Sequence, residues 1–413
     1  MMKENKNTRV ENAYWIFTLF GTAVGAGILF LPIQAGLGGI WVLIAASLLA
    51  YPLVYPSQHL YSRIINNTPK PVDYTGAVKL FLGKKTGMLI NILFVVFLFL
   101  LLLAYSIGLN NDLGDFFYQN NITGSNPAKS PYLSLVVLML FFTILKFGKE
   151  TLIKVLGVLS VILILLLLIL SLLLADMWDF SRLTTFPSFY EFVKQFLMVF
   201  PILIMSFMFF SAISPMVISF RKKGGSPEEV EKKSSGVLKI TVVLLLLFVL
   251  LFVFSCVFAL DVGDLKKANL ENITVLALLG DISNKPFLKD FGPAISLLAL
   301  TTSFFGVALG LRSSSLELIS GFFVATKSVK VKSEIIFYSV SIISLWLITI
   351  TNVNIIALFG ELIAPLNSLF LYFIPVLIVF KHAVFKPLRT LGSILIFISG
   401  LVLVLSYFIG KMI

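Results

Sequence analysis

The chain alternates between long apolar runs and short polar or basic segments. Scanned with a window of about 19 residues, the runs predict eleven membrane-spanning helices. They lie at residues 13–36, 38–62, 86–108, 132–147, 152–174, 191–220, 237–260, 292–311, 333–350, 354–380 and 390–410, the fourth being the shortest.

Two runs carry an interruption near their middle. The first contains Gly21-Thr22-Ala23-Val24-Gly25-Ala26-Gly27, three glycines in seven residues, each costing a helix about 1 kcal/mol relative to alanine. Within hydrocarbon, the freed N–H and C=O groups are tolerated only where they line a cavity or are buried in protein. The upstream half would end in carbonyls that attract a cation. The downstream half would offer amides and a positive dipole end to an anion. A zwitterionic amino acid fits between them; the rival reading is that the glycines only permit close helix packing. The sixth run holds Ser211-Ala212-Ile213-Ser214-Pro215, with Pro201 earlier in the same run. Pro215 removes a backbone donor, so a second broken helix is expected at Ser211–Pro215, against an ordinary proline kink. Interrupted helices in corresponding positions of two halves point to an inverted-repeat transporter. The halves would be residues 13–174 and 191–382, after a tail at 1–12 and before an additional helix in 383–413; no sequence similarity between them is visible.

Charge orients this bundle. Assigning alternate sides to the segments between runs puts 24 of the 32 Lys and Arg residues on the N-terminal side and 8 on the other. The positive-inside rule then places the N-terminus in the cytoplasm and the C-terminus outside a cell (inner) membrane. The net charge of +12 is read through that asymmetry, not as a nucleic-acid surface. With 58% hydrophobic residues, 13% charged and a mean hydropathy of +1.01, the chain is expected to be an all-α integral membrane protein. One cysteine excludes an intrachain disulfide, and two histidines make a His-based metal centre improbable. No small-residue cleavage site follows the first run, so that span is expected to stay.

The polar segments add detail. Tyr74–Leu82 reads as a cytoplasmic surface helix facing lipid headgroups, and Asn272–Leu279 as a short outer lid helix over the pathway. Pro52 and Pro56 should kink the second span. Inside the runs, four features carry candidate chemistry. Lys154 lies about one turn into the fifth span and either snorkels to the surface or acts in transport. Thr301, Thr302 and Ser303 either bond their own helix carbonyls or coordinate a hard cation. Glu361 is an isolated carboxylate in the tenth span, which defaults to a functional role. No nucleophile, base and orienter constellation is present, so an enzyme is not expected.

The run Gly21 to Pro32 resembles the first helix of the bacterial hydroxy and aromatic amino acid permeases. Ala35-Gly36-Leu37-Gly38-Gly39 is closer to their serine and threonine branch. The likeness recurs in order at Phe147-Gly148-Lys149 with Lys154, Phe254-Ser255-Cys256, Asn272-Ile273-Thr274-Val275-Leu276, Ser303-Phe304-Phe305-Gly306 and Asn352-Val353-Asn354-Ile355. The chain departs from the branch at Ser211-Ala212-Ile213, where the serine and threonine permeases have a Phe-Asn-containing stretch. It departs again at Thr302, where some relatives place lysine. Ala299, Thr302 and Ser303 instead resemble the eighth-helix sodium site of sodium-coupled members of the wider amino acid, polyamine and organocation superfamily. The resemblance implies a five-plus-five inverted-repeat transporter, moving a small neutral, serine- or threonine-like amino acid as a proton symporter. Sodium coupling and an aromatic substrate are the alternatives, and an amino acid sensor is the alternative of another class. Main chain around Thr22, Ala23, Gly25, Ala26 and Gly27 would hold the substrate, with Phe210, Ser211 and Ser214 closing one side and Tyr105 reaching a substrate oxygen. Lys154, Thr302, Ser303 and Glu361 would couple the ion. No cofactor is expected; the partners are the substrate and the bilayer.

Overall fold

The computed structural model describes residues 2–24, 26–147, 149–282, 286–321 and 327–413, without the side chains of 2–8, 26, 147, 149–154, 157, 286, 290, 320–321 and 327–330. Among these residues every regular element is a helix. The first run gives α1 (Met2–Ala23) and α2 (Ala26–Gly38), bent by 55° across the glycine stretch. The next elements are α3 (Ile40–Asn66), α4 (Tyr74–Leu82), α5 (Lys84–Gln119), α6 (Pro131–Phe147) and α7 (Lys149–Leu173). The sixth run gives α8 (Phe189–Ser206) and α9 (Phe210–Lys222), followed by α10 (Pro227–Ala259), α11 (Val262–Glu271) and α12 (Val275–Ile282). The chain ends in α13 (Pro286–Gly321), α14 (Lys327–Thr349), α15 (Ile355–Lys381), which contains two π turns, and α16 (Leu391–Met412).

Among the described residues, nine helices are long and apolar enough to cross a membrane, and the bent α1–α2 pair makes a tenth span. The predicted fourth span is α6. Its 17 residues rise about 25 Å, short of a hydrocarbon core of about 30 Å. The expected eleven crossings are therefore ten by length and composition, with α6 as the short remaining helix.

The second break lies ahead of its predicted place. Helix α8 stops at Ser206 and α9 starts at Phe210, while the expected Ser211–Pro215 stretch lies inside α9. Pro215 is the sixth residue of α9, so its missing N–H costs only the bond to Ser211 in the opening turn. What opens the helix at Phe207–Phe209 is a side chain from another span, described below.

Helices α5 and α13, 36 residues each, rise about 54 Å and pack along one another. Both overshoot the hydrocarbon, which lets polar residues at the far end of α5 meet the outer segment. Helix α4 has the predicted bounds but not the predicted face: Tyr74, Thr75, Ala77 and Val78 are buried against the bundle.

Candidate functional site

The two breaks abut. A Cβ on Gly27, in the first turn of α2, would come 3.1 Å from Ser206 Oγ and 3.4 Å from Ser206 Cα, at the last turn of α8. Only glycine lets these backbones approach so closely. Just past the end of α1, Val24 N still bonds back to Phe20 O at 3.0 Å. Two helix N-termini, of α2 and α9, and two C-termini, of α1 and α8, therefore converge inside the bundle. Such ends carry the partial charges of unpaired amides and carbonyls.

Gln58 of α3, fully buried, holds the sixth-span break open. Its Nε2 donates to Phe207 O at 3.3 Å, and its Oε1 accepts from Phe209 N at 3.2 Å. One carboxamide thus replaces two bonds that a continuous helix would have made for itself. The sequence reading missed this residue; a carboxamide inside the second span, two residues after Pro56, was the available signal. Three residues on, Tyr61 shares a hydrogen bond with Ser214 of α9.

The predicted site residues divide. Ala23 is buried at the break. Gly25 lies outside the described residues, as do the side chains of Ala26 and Lys154. Thr22 turns its hydroxyl back to Thr18 O at 2.8 Å on an exposed face of α1. Ser211 is exposed on α9, whereas Phe210 and Ser214 are buried. Tyr105 of α5 is buried, and among the described residues its hydroxyl has no hydrogen-bond partner. Gly108, three residues on and so on the same helix face, lies against Phe30 of α2 and Leu300 of α13.

The coupling residues divide too. Ser303 Oγ donates to Ala299 O at 2.9 Å and reaches Val24 O at 3.2 Å, joining the eighth span to the carbonyl end of α1. Thr302 Oγ1 donates to Ala299 O at 3.0 Å. Val24 O, Ala299 O and these two hydroxyls form an all-oxygen set, the donor chemistry of a hard cation. On α7, Ser160 packs so tightly on α1 that a Cβ on Gly21 would lie 2.5 Å from its Oγ. The backbone of Lys154 is six residues before Ser160, about 9 Å along the helix. Glu361 is elsewhere: it accepts from Lys411 Nζ of α16 at 2.5 Å.

Both ends of the path are closed. Towards the basic end, Phe210 packs with Tyr74, Phe94, Phe97 and Phe370 at ring separations of 5.9–6.5 Å. Burial holds the Tyr74 phenol well above its ordinary pKa, and its hydroxyl donates to Phe370 O at 2.9 Å. Lys79 of α4 pairs with Glu317 of α13 alongside. At the other end, fully buried Asp112 of α5 accepts from Thr274 N at 3.0 Å, Thr274 Oγ1 at 2.7 Å and Ser296 Oγ at 2.5 Å. Asn111 Nδ2 donates to Asn352 Oδ1 at 2.9 Å, and Asn272 Oδ1 accepts from Ile355 N at 3.0 Å. These bonds sew the third span to the outer segment and to the loop before α15.

Comparison with known proteins agrees with this architecture. Residues 13–389 match the tryptophan/tyrosine permease family. The serine transporter SdaC of Escherichia coli (strain K12) is 28% identical over 97% of this chain and 95% of its own length. The inner membrane transport protein YqeG of the same strain is 30% identical over 95% of this chain and 97% of its own. Among solved structures, the manganese transporter of Eremococcus coleocola superposes with a TM-score of 0.57 at 14% identity, covering 98% of this chain and 86% of that one. MhsT in complex with L-phenylalanine gives 0.53 at 17% identity, over 95% and 98%. These likenesses show the five-plus-five inverted-repeat transporter fold. The chain belongs to the tryptophan/tyrosine permease family and is a multi-pass membrane transporter of amino acids, not an enzyme.

Proposed function

We propose that this permease is a proton-coupled symporter carrying a small neutral, serine-like amino acid into the cell across the inner membrane. The observation that carries the reading is the meeting of the two breaks at Gly27 and Ser206. Amides opening α2 and α9 are suited to the substrate carboxylate, and the carbonyl ends of α1 and α8 to its ammonium group. The Tyr105 hydroxyl is free to meet a substrate oxygen. Close packing of Gly27 on Ser206 favours a small side chain, in keeping with relatives named serine transporters. Alternate opening of the aromatic plug and the asparagine–aspartate latch would expose the site to one side at a time. Proton coupling rests on Lys154, which matches the resembled permeases and lies on a helix packed against α1. In this reading the Lys154 amine is the group that releases and takes up a proton during the cycle.

A specific observation favours one rival. The oxygen set of Val24, Ala299, Thr302 and Ser303 would equally suit sodium. Uptake of labelled L-serine into proteoliposomes, with proton and sodium gradients imposed separately, decides between them. The proposal expects accumulation under an inward proton gradient without sodium, and its loss in Lys154→Ala with exchange retained. A strict sodium requirement that Ser303→Ala abolishes would overturn it.

A further inference from the structure

At the basic end of the bundle, away from the two breaks, a cavity of about 190 Å³ opens between α3, the linker after α15 and the start of α16. Arg63 and His59 of α3 line one side, and Thr390, Gly392 and Ile396 line the other. Its volume equals that of about six waters, enough for a phosphodiester with its glycerol. His59 Nε2 is buried with no hydrogen-bond partner, while its ring stacks on Tyr55 at 5.4 Å. Arg63 meets Glu231 through Nε at 2.9 Å. That single contact leaves most of the five guanidinium donors unused.

The facing wall is also short of a partner. Thr390 precedes α16 but its side chain makes no capping bond, so the first amides of a 22-residue helix lack a side-chain acceptor there. Near the cavity but not lining it, Lys381 ends α15 and the linker carries Lys386 and Arg389, the latter donating to Val379 O and His382 O at 3.1 Å each. Outside the cavity the surface turns apolar: Leu391 and Leu395 of α16 are 71% and 53% exposed. A largely apolar chamber, with the Arg63 guanidinium and the His59 imidazole on one wall and the start of α16 on the other, thus opens onto a greasy flank at the edge of the bilayer.

We infer that this cavity binds the phosphate headgroup of an anionic phospholipid, its acyl chains lying along the exposed face of α16. Arginine presents paired donors to phosphate oxygens, a helix N-terminus adds amides and a favourable dipole, and basic pockets between spans at this membrane face suit anionic headgroups. The site is separate from the transport path and does not depend on which amino acid or ion the protein carries.

The test uses the purified full chain in detergent, with melting temperature read against dioctanoylphosphatidylglycerol, dioctanoylphosphatidylcholine and inorganic phosphate. The phosphatidylglycerol is expected to stabilise saturably, and the other two are not. Gly392→Val fills the chamber; the new Cβ meets nothing nearer than Thr390 Oγ1 at 3.4 Å, so folding is preserved. The paired change Arg63→Gln with Glu231→Gln removes the guanidinium without stranding a carboxylate. Both variants should weaken the apparent affinity at least tenfold, while Lys129→Gln, in the opposite loop, leaves it unchanged. Equal stabilisation by phosphate would assign the chamber to a free anion and overturn the lipid reading. Equal stabilisation by phosphatidylcholine, or a phosphatidylglycerol effect that survives both variants, would overturn the site itself.

Discussion

Gln58 shows how one side chain sets the working geometry of a span. Without it, the Phe207 carbonyl and the Phe209 amide would be stranded in an apolar interior at a cost of about 1–3 kcal/mol each. Gln58→Leu is therefore expected to lower the melting temperature and reduce uptake at least tenfold. Gln58→Glu keeps the acceptor for Phe209 but loses the donor to Phe207, and should fall between; wild-type transport in Gln58→Leu would remove the residue from the mechanism. Tyr105 gives the opposite case. Its hydroxyl makes no hydrogen bond among the described residues, so Tyr105→Phe should leave the melting temperature unchanged while raising KM about tenfold, the worth of one hydrogen bond of about 1.4 kcal/mol. At Gly27 the contact distances grade the outcome. Alanine, 3.1 Å from Ser206 Oγ, should impair uptake partly, and leucine should abolish it while the protein still inserts. Three glycines in seven residues made the first break legible in the sequence. The second was misplaced because its cause, Gln58, lies about 150 residues upstream, beyond the reach of any local pattern.

Between residues and molecule, the short helices do the closing. Helix α4 was legible in its bounds, fixed by Asp73, whose carboxylate accepts from Gly76 N, and by Gly83 at φ 91°. Its buried face was not, because Tyr74 finds its acceptor at Phe370, 296 residues away. The outer lid was legible from Asn272 to Leu279, and the structure starts α12 at Val275 with Thr274 Oγ1 accepting from Ala277 N at 3.2 Å. Asp281, near the end of α12, faces Asp115 of α5 together with Lys267 and Glu271 of α11. Burial and then the Asp115 charge push its pKa up to about 7. The sign follows from that upward shift. A docked α12 binds the proton more tightly than a released one, so docking is strongest below about pH 4, the ordinary carboxylate range, and weakens progressively up to about pH 7, above which it levels off. Corrected for its intrinsic pH dependence, amide exchange across α12 should quicken between about pH 4 and 7 and level off above that. Asp281→Asn should flatten that dependence; a slope unchanged in the variant would clear Asp281 of the role.

On the scale of the whole molecule, sequence reading reached the class and the breaks but counted crossings only as far as α6 allowed. Orientation rests on the basic asymmetry and is open to direct measurement. In a Cys256→Ser background, single cysteines in Arg221–Lys239 should react only from the cytoplasm and those in Asn110–Pro131 only from outside. Reaction of both from one side would invert or break the topology. The pairing of Glu361 with Lys411 adds a matter of timing. Fifty residues separate the two, and Lys411 lies in the last turn of the final helix. While the chain is being threaded into the bilayer, the carboxylate arrives first and waits unneutralised, about 9 Å from the start of its helix. The tenth helix is thus not settled in lipid until the eleventh has packed beside it.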